Sequence, residues 1–274
     1  MKKILSFTVM LISFFYYSQT NRFFYELKSR KDSTQDYKQN IMVLDINPKS
    51  VKFYDKVLLD KDSINKNNLS GEVSRTNTGT DQLIVRDANS YTNKWYRDFF
   101  EYFVISTTDK MKWELSKETI TYEGYTLQKA TTDFGGRKWT AWFADSVNIP
   151  EGPYKFRGLP GLIFLLKDSQ ENFVYKLVKN TKFNKTYDTS SFLENHYDKK
   201  AVKTNVKNFN TYLIDIYNNP TRSMSENIKN GNKVSVKDAD ITSVAELNQK
   251  KKMMQKMIKN RYIYLEQDKQ PKFD

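Results

Sequence analysis

The chain has 274 residues, with 45 lysines and arginines against 32 acids, a net charge of +13, no cysteine and a single histidine. Disulfides, thiol chemistry, cysteine-held zinc and any site that needs two histidines are thereby excluded. The basic balance favours anionic partners, and a chain of this length can hold one domain on an apolar core alone.

The N-terminus reads "MKKILSFTVMLISFFYYSQT", two lysines followed by an apolar run over 4–17 and then small or polar residues. This is the layout of a secretory signal peptide, and the run is shorter than the ~20 residues a membrane span needs. The expected leader is 1–18, cut near Ser18 and Gln19, and losing Lys2 and Lys3 with it lowers the net charge to about +11. No cysteine follows the run, so the expectation is export to the periplasm or exterior without a lipid anchor and, after cleavage, without a transmembrane segment.

From 19 to 183 short apolar and aromatic runs alternate with Asn, Asp, Gly and Pro clusters, the mark of β-strands. Ten candidates follow one another: "RFFYELK", "NIMVLDI", "SVKFYDKVL", "DQLIVRD", "YRDFFEYFVIST", "MKWELS", "YTLQKAT", "RKWTAWFAD", "GLIFLLKD" and "NFVYKLVKN". Their close spacing predicts a mainly β fold, one curved antiparallel sheet or half-barrel rather than βαβ units. The polar stretch 61–80 reads as a long excursion between early strands.

In "EGPYKFRGLPGLIFLLKD", 151–168, the alternation of Tyr154 and Phe156 with Lys155 and Arg157 predicts a short strand with one aromatic face. Gly158, Pro160 and Gly161 predict a bulged corner where the sheet bends, because proline donates no amide and glycine permits close backbone approach. A phosphate nest is disfavoured, since no Gly-Lys-Ser/Thr ending follows.

Beyond 184 lysine, asparagine and serine dominate, and the region 184–274 is expected to be helical and packed on the same domain. Thr189 or Ser190 can start one helix, and Ser243 with Glu246 forms a capping box for another running to about Arg261. Leu247, Met254 and Ile258 share one face of that helix while its lysines stay wet, so it packs on the sheet or touches an anionic membrane surface. No fixed-period repeat is present.

The stretch 136–168, "GRKWTAWFADSVNIPEGPYKFRGLPGLIFLLKD", resembles the GLPGLI family of exported bacterial proteins, and "WELSKETITYEGYTLQKAT", 113–131, is similar to that family's upstream pattern. Thr126 stands where members often carry a cysteine. The resemblance implies export by a Gram-negative bacterium and assigns no activity. It makes Gly152, Pro153, Gly158, Leu159, Pro160, Gly161, Leu162 and Ile163 a motif, read here as shaping the sheet. The pattern is also similar, at the level of fold, to half-barrel periplasmic lipoprotein carriers, which by itself implies no function.

Catalytic chemistry finds little support. His196 in "FLENHYDKK" has no Gly-x-Ser-x-Gly elbow to serve, and Glu194, His196 and Asp198 do not share a helical face, so no metal and no cofactor is expected. "DKDSINKNN", 60–68, lacks the glycine and glutamate of a calcium loop. Asp133, Asp145, Glu151 and Asp168 offer acid pairs only if the fold brings two together. Trp139, Ala141 and Phe143 should face one way and Thr140 and Trp142 the other. Trp139, Trp142, Tyr154 and Phe156 are the candidates for an apolar or stacking surface, with Arg157 for anion recognition. The charge alone suggests nucleic acid, but no binding motif accompanies it.

Three readings stay open: a non-enzymatic carrier or binding protein of the envelope for an apolar or amphiphilic ligand; an accessory module docking on an outer-membrane transporter, a glycan or an anionic surface; and an envelope hydrolase using an acid pair.

Overall fold

Strand-forming runs broken by short turns assemble into a single twelve-stranded sheet. The computed structural model describes residues 19–230, 234–236, 239–241 and 243–273, with nothing described of the side chains of 231–242, so the expected leader over 1–18 lies outside the described residues. The strands are β1 (Thr20–Ser29), β2 (Lys38–Ile46), β3 (Ser50–Asp55), β4 (Leu83–Asp87), β5 (Thr92–Phe99), β6 (Glu101–Thr108), β7 (Glu114–Tyr122), β8 (Tyr125–Phe134), β9 (Arg137–Ala144), β10 (Leu162–Asp168), β11 (Phe173–Phe183) and β12 (Val202–Thr204).

Two antiparallel meanders, β2 to β6 and β7 to β11, flank β1, which pairs with β2 on one side and β11 on the other. β12 adds a parallel edge beside β6, so the sheet is mixed, open and curved. The connection from β6 to β7 requires the curvature. Those strands stand ten positions apart, roughly 48 Å in a flat sheet at ~4.8 Å per strand. The linking residues, 109–113, reach about 20 Å at most. The sheet therefore curls until its two ends approach.

Three of the expected elements are revised. The run 50–58 is not one strand: Asp55 ends β3 and caps helix α1 (Lys56–Lys66) by accepting a hydrogen bond from the Val57 amide, so the polar excursion begins as helix. The run 96–107 is two strands, folded back at Phe100, whose φ is +59°, so that Phe99 faces Glu101. Tyr154, Lys155, Phe156 and Arg157 form no strand; they belong to the connection 145–161, in which all four side chains are buried. The bulge lies within β10, between Ile163 and Leu165, and not at 158–161 as expected.

Burial divides the sheet into two apolar layers. On the concave side Tyr25, Trp139, Phe143, Phe156 and Leu166 belong to the main core, which α2 (Val206–Asn218) joins through Phe209 and Leu213. On the other side Val43, Tyr54, Val85 and Tyr102 lie beneath Leu58 of α1 and a single π-helical turn, Ser190–Glu194, which carries Phe192 and Leu193. Strand β2 is accordingly buried on both faces along Met42, Val43 and Leu44.

Helix α3 (Arg222–Lys229), a two-stranded ribbon of β13 (Val234–Val236) and β14 (Ala239–Ile241), and α4 (Val244–Lys259) follow. Both arms of the Ser243–Glu246 capping box form, and α4 lies beside α2 with Ile258 in the main core. Among the described residues no helix is long and apolar enough to cross a membrane.

Candidate functional site

The connection 145–161 fills the concavity. A buried connection must satisfy its own polar backbone, and it does so with local bonds such as Phe156 N to Pro153 O (3.1 Å), Gly158 N to Pro150 O (3.0 Å) and Leu162 N to Val147 O (3.1 Å). Trp113 Nε1, from the link between β6 and β7, donates to the Arg157 carbonyl at 2.9 Å, and Tyr25 Oη of β1 donates to the Ile163 carbonyl at 2.7 Å just where the connection enters β10.

Its charges are paired inside the protein. Lys155 Nζ lies 2.6 Å from Glu266 Oε1 and 3.3 Å from Asp109 Oδ2, with all three side chains buried. Tyr154 Oη donates to Glu266 at 2.6 Å, and Lys269 bonds both Glu266 and Asp109. Burial pushes the Lys155 pKa down against the pull of its two carboxylates. Burial also opposes ionisation of Asp109, yet Lys155, Thr107 and Lys269 outweigh it and hold that carboxyl below its ordinary range. Glu151 pairs with both Arg86 and Arg157, Asp81 with Arg97, and Asp168 with Arg137 at 2.9 Å.

The structure therefore places Trp139, Tyr154, Phe156 and Arg157 in the packed interior, while Trp142 is half-buried beyond the main alternation of Trp139, Ala141 and Phe143. Of the four acids singled out, Glu151 and Asp168 are held by arginines and Asp133 and Asp145 are exposed. The fold instead brings Asp109 and Glu266 together across Lys155. Sequence reasoning missed this network because the partners stand far apart in the chain; only the lysine inside an otherwise aromatic run hinted at a buried charge. Among the described residues no cluster of three or more His, Asp or Glu side chains is arranged to hold a metal ion.

A groove of about 330 Å³ opens where β10 begins, beside residues 176–180 of β11. The turn between β7 and β8 arches over it: Tyr122 Oη, at the end of β7, donates to the Leu177 carbonyl at 3.4 Å, although β7 and β11 are four places apart in the sheet. Glu123 and Gly124, both with positive φ, make the tight reversal that carries Tyr122 and Tyr125 there. Tyr125 packs 4.9 Å from Phe164, and Phe23 and Leu162 complete the apolar wall. Lys176 lies at the rim with the single acid Glu123, its ammonium 5.5 Å from the Tyr122 ring centre, whereas Lys179 lines the groove but carries its ammonium to the other face of the sheet, 5.7 Å from the Phe24 ring centre. The Tyr125 side is 39 % exposed and Val178 48 %, so the groove is reachable from solvent. Chemically it offers an aromatic trough with a lysine at its edge.

No family model matches the chain, and no curated protein matches it. Among solved structures, two crystal forms of PNGF-II superpose with a TM-score of 0.47, at 12 % and 13 % identity, covering 70 % of this chain. The chain spans 32 % of the length of PNGF-II.

Proposed function

We propose that the chain is a non-enzymatic binding protein of the cell envelope, exported as its N-terminus suggests, that holds a small amphiphile with an acidic head group in the groove between the β7–β8 turn and β11. The observation carrying this reading is the combination of Tyr122, Tyr125 and Phe164 with Lys176 at the rim. The volume of about 330 Å³ holds roughly ten groups of methylene or water size, at ~30 Å³ each. Because the rest of the concavity is filled by the protein's own side chains, the ligand is a single short chain or ring rather than a lipoprotein's set of acyl chains.

Calorimetry with dodecanoate and with dodecyltrimethylammonium tests the proposal. Saturable binding of the carboxylate, with the cation at least about tenfold weaker, is expected from the rim lysine. Equal affinity for the two, or no saturable binding of either, rules the reading out. Tyr125→Ala and Lys176→Glu should each weaken dodecanoate binding several-fold while leaving thermal unfolding unchanged, since both side chains are exposed.

A second reading, a module docking on an anionic surface, is favoured by α4, where Met253 (56 % exposed) and Met257 (49 %) stand on the outer side among Lys252, Lys256 and Lys259. Flotation with vesicles containing phosphatidylglycerol tests it: retention that is lost at 0.5 M salt and in Lys252→Glu/Lys256→Glu supports docking, and no retention at low salt dismisses it.

A further inference from the structure

A separate cavity of about 580 Å³ lies on the other side of the molecule, lined by Arg75 and Asn77 from the irregular stretch 67–82, by Asp98 and Phe100 at the β5–β6 reversal, by His196 and Lys199 after the π-helical turn, and by Arg261 after α4. Four segments distant in sequence thus converge on one place. Three full cations meet a single carboxylate there. Arg261 uses part of its guanidinium on Asp98, Nε to the backbone carbonyl at 3.2 Å and Nη2 to the carboxylate at 3.4 Å. Lys199 donates only to the Phe100 carbonyl, at 3.3 Å, and Arg75 makes no hydrogen bond or ion pair among the described residues.

His196 gives the cavity a built floor. It is 5 % exposed, stacked on Tyr102 with ring centres 4.9 Å apart and flanked by Tyr197 at 5.3 Å. Its Nε2 stops 3.7 Å from Asp98, beyond hydrogen-bond reach, and its Nδ1 is buried without a partner of normal geometry. An imidazole so enclosed, with Asp98 as its nearest carboxylate and cations in excess around it, leaves one buried ring nitrogen unsatisfied, which buried polar groups ordinarily are not.

We propose that this cavity binds a dianionic tetrahedral oxyanion, a phosphate monoester or sulfate ester carried on a larger body, with Arg75, Lys199 and Arg261 as its charged partners and His196 as a donor beneath them. Two arginines supply forked donors suited to such a group, the excess of two positive charges matches its charge, and the space exceeds that of the bare ion. The exposed ring of Phe100 at the rim meets the organic part. The site is independent of the amphiphile groove and stands or falls separately.

The binding equilibrium is coupled to the imidazole. Burial pushes the His196 pKa down, Asp98 opposes that, and Lys199 and Arg75 push it further down. An anion seated among these groups reverses the last effect, so its binding raises the pKa of His196 and draws in a proton.

His196 is the sole histidine of the chain, so in protein purified with a histidine-free tag its imidazole C–H resonances are single and unambiguous. Proton NMR titrations with inorganic phosphate, sulfate, phenyl phosphate and acetate at low ionic strength read the site directly. Expected are saturable shifts with the three dianions, phenyl phosphate the tightest by at least about threefold, little response to acetate, and an upward move of the His196 titration midpoint when phenyl phosphate is bound. Arg75→Gln, which removes an exposed and unpaired side chain, should weaken phenyl phosphate about tenfold without altering the melting temperature. No saturable shift with any dianion at 50 mM, or shifts of equal affinity in the parent, Arg75→Gln and Lys199→Gln proteins, overturns the proposal. Binding of inorganic phosphate as tight as phenyl phosphate overturns the part of it that calls for a larger body.

Discussion

Gly161 runs directly against the backbone of Ala144: a β-carbon at 161 would overlap the Ala144 carbonyl oxygen and fall 2.8 Å from the Asp145 α-carbon. The obstacle is main chain on both counts, so no side chain can move aside to relieve it. This contact locks the buried connection 145–161 where it re-enters the sheet as β10. Gly161→Val should cost about 3 kcal/mol or more, seen as a large drop in the urea midpoint or as loss of soluble protein. A Gly161→Val protein melting within a degree or two of the parent refutes the role assigned to this contact.

A pair of glycines separates backbone strain from docking of the C-terminal segment. Gly124 and Gly135 both have positive φ, +79° and +63°, but a β-carbon at 124 meets nothing within 4 Å whereas one at 135 lies 3.0 Å from the Glu266 α-carbon. Gly124→Ala should cost only the left-handed conformation, about 1 kcal/mol. Gly135→Ala should cost at least about 1 kcal/mol more, because it also pushes on the segment whose Gln267 amide donates to the Gly135 carbonyl at 2.8 Å. Equal losses in the two variants, measured by denaturant unfolding, show that this segment does not hold Glu266 in place.

The interior network makes a different demand. Removing one member of a buried ion pair strands the other, at about 3–5 kcal/mol, whereas removing both charges can be nearly neutral. Lys155→Met should therefore be severely destabilising, since it leaves Glu266 and Asp109 with Lys269 alone. Adding Glu266→Gln to Lys155→Met should recover part of the loss, because the amide oxygen still accepts from Tyr154. A double-mutant cycle reads the coupling; additive losses deny that Lys155 and Glu266 act as a pair.

These contrasts also mark what the sequence discloses. Short apolar runs bounded by turn residues located β1, β2, β4, β8, β9, β10 and β11, alternating where a strand buries one face and continuous where it buries both. Ser243 and Glu246 located the start of α4 because both arms of a capping box are local. The alternation of 154–157 misled, since the same pattern that fits a strand here records a turn with lysine and arginine taken into the interior by Glu266 and Glu151. Their partners lie across the chain, and no local signal marks them. The groove was half legible: the aromatic wealth of the region was evident, but which rings stay at the rim depends on the arch of the β7–β8 turn, so Tyr122 and Tyr125 rather than Trp139 and Phe156 face the opening.

Two buried aspartates should show opposite pH behaviour. Asp55, the cap of α1, is raised by burial despite accepting from Val57 N and Asn40 Nδ2. Its ionisation therefore carries a cost at neutral pH that disappears as the pH falls through the raised value to below the ordinary carboxyl range. Asp109 is lowered, so its ionised form contributes stability above the ordinary carboxyl pKa of about 3.9, and that contribution is lost as the pH falls through the depressed value. Asparagine replaces either side chain without a charge, and at 55 it also serves as a helix cap. Relative to the parent at pH 7, Asp55→Asn should be as stable or more stable and Asp109→Asn less stable, with both differences shrinking as the pH approaches 3. Denaturant unfolding of the three proteins across pH 3–7 makes the comparison, and differences of the same sign at pH 7 contradict the environments described for these two carboxylates.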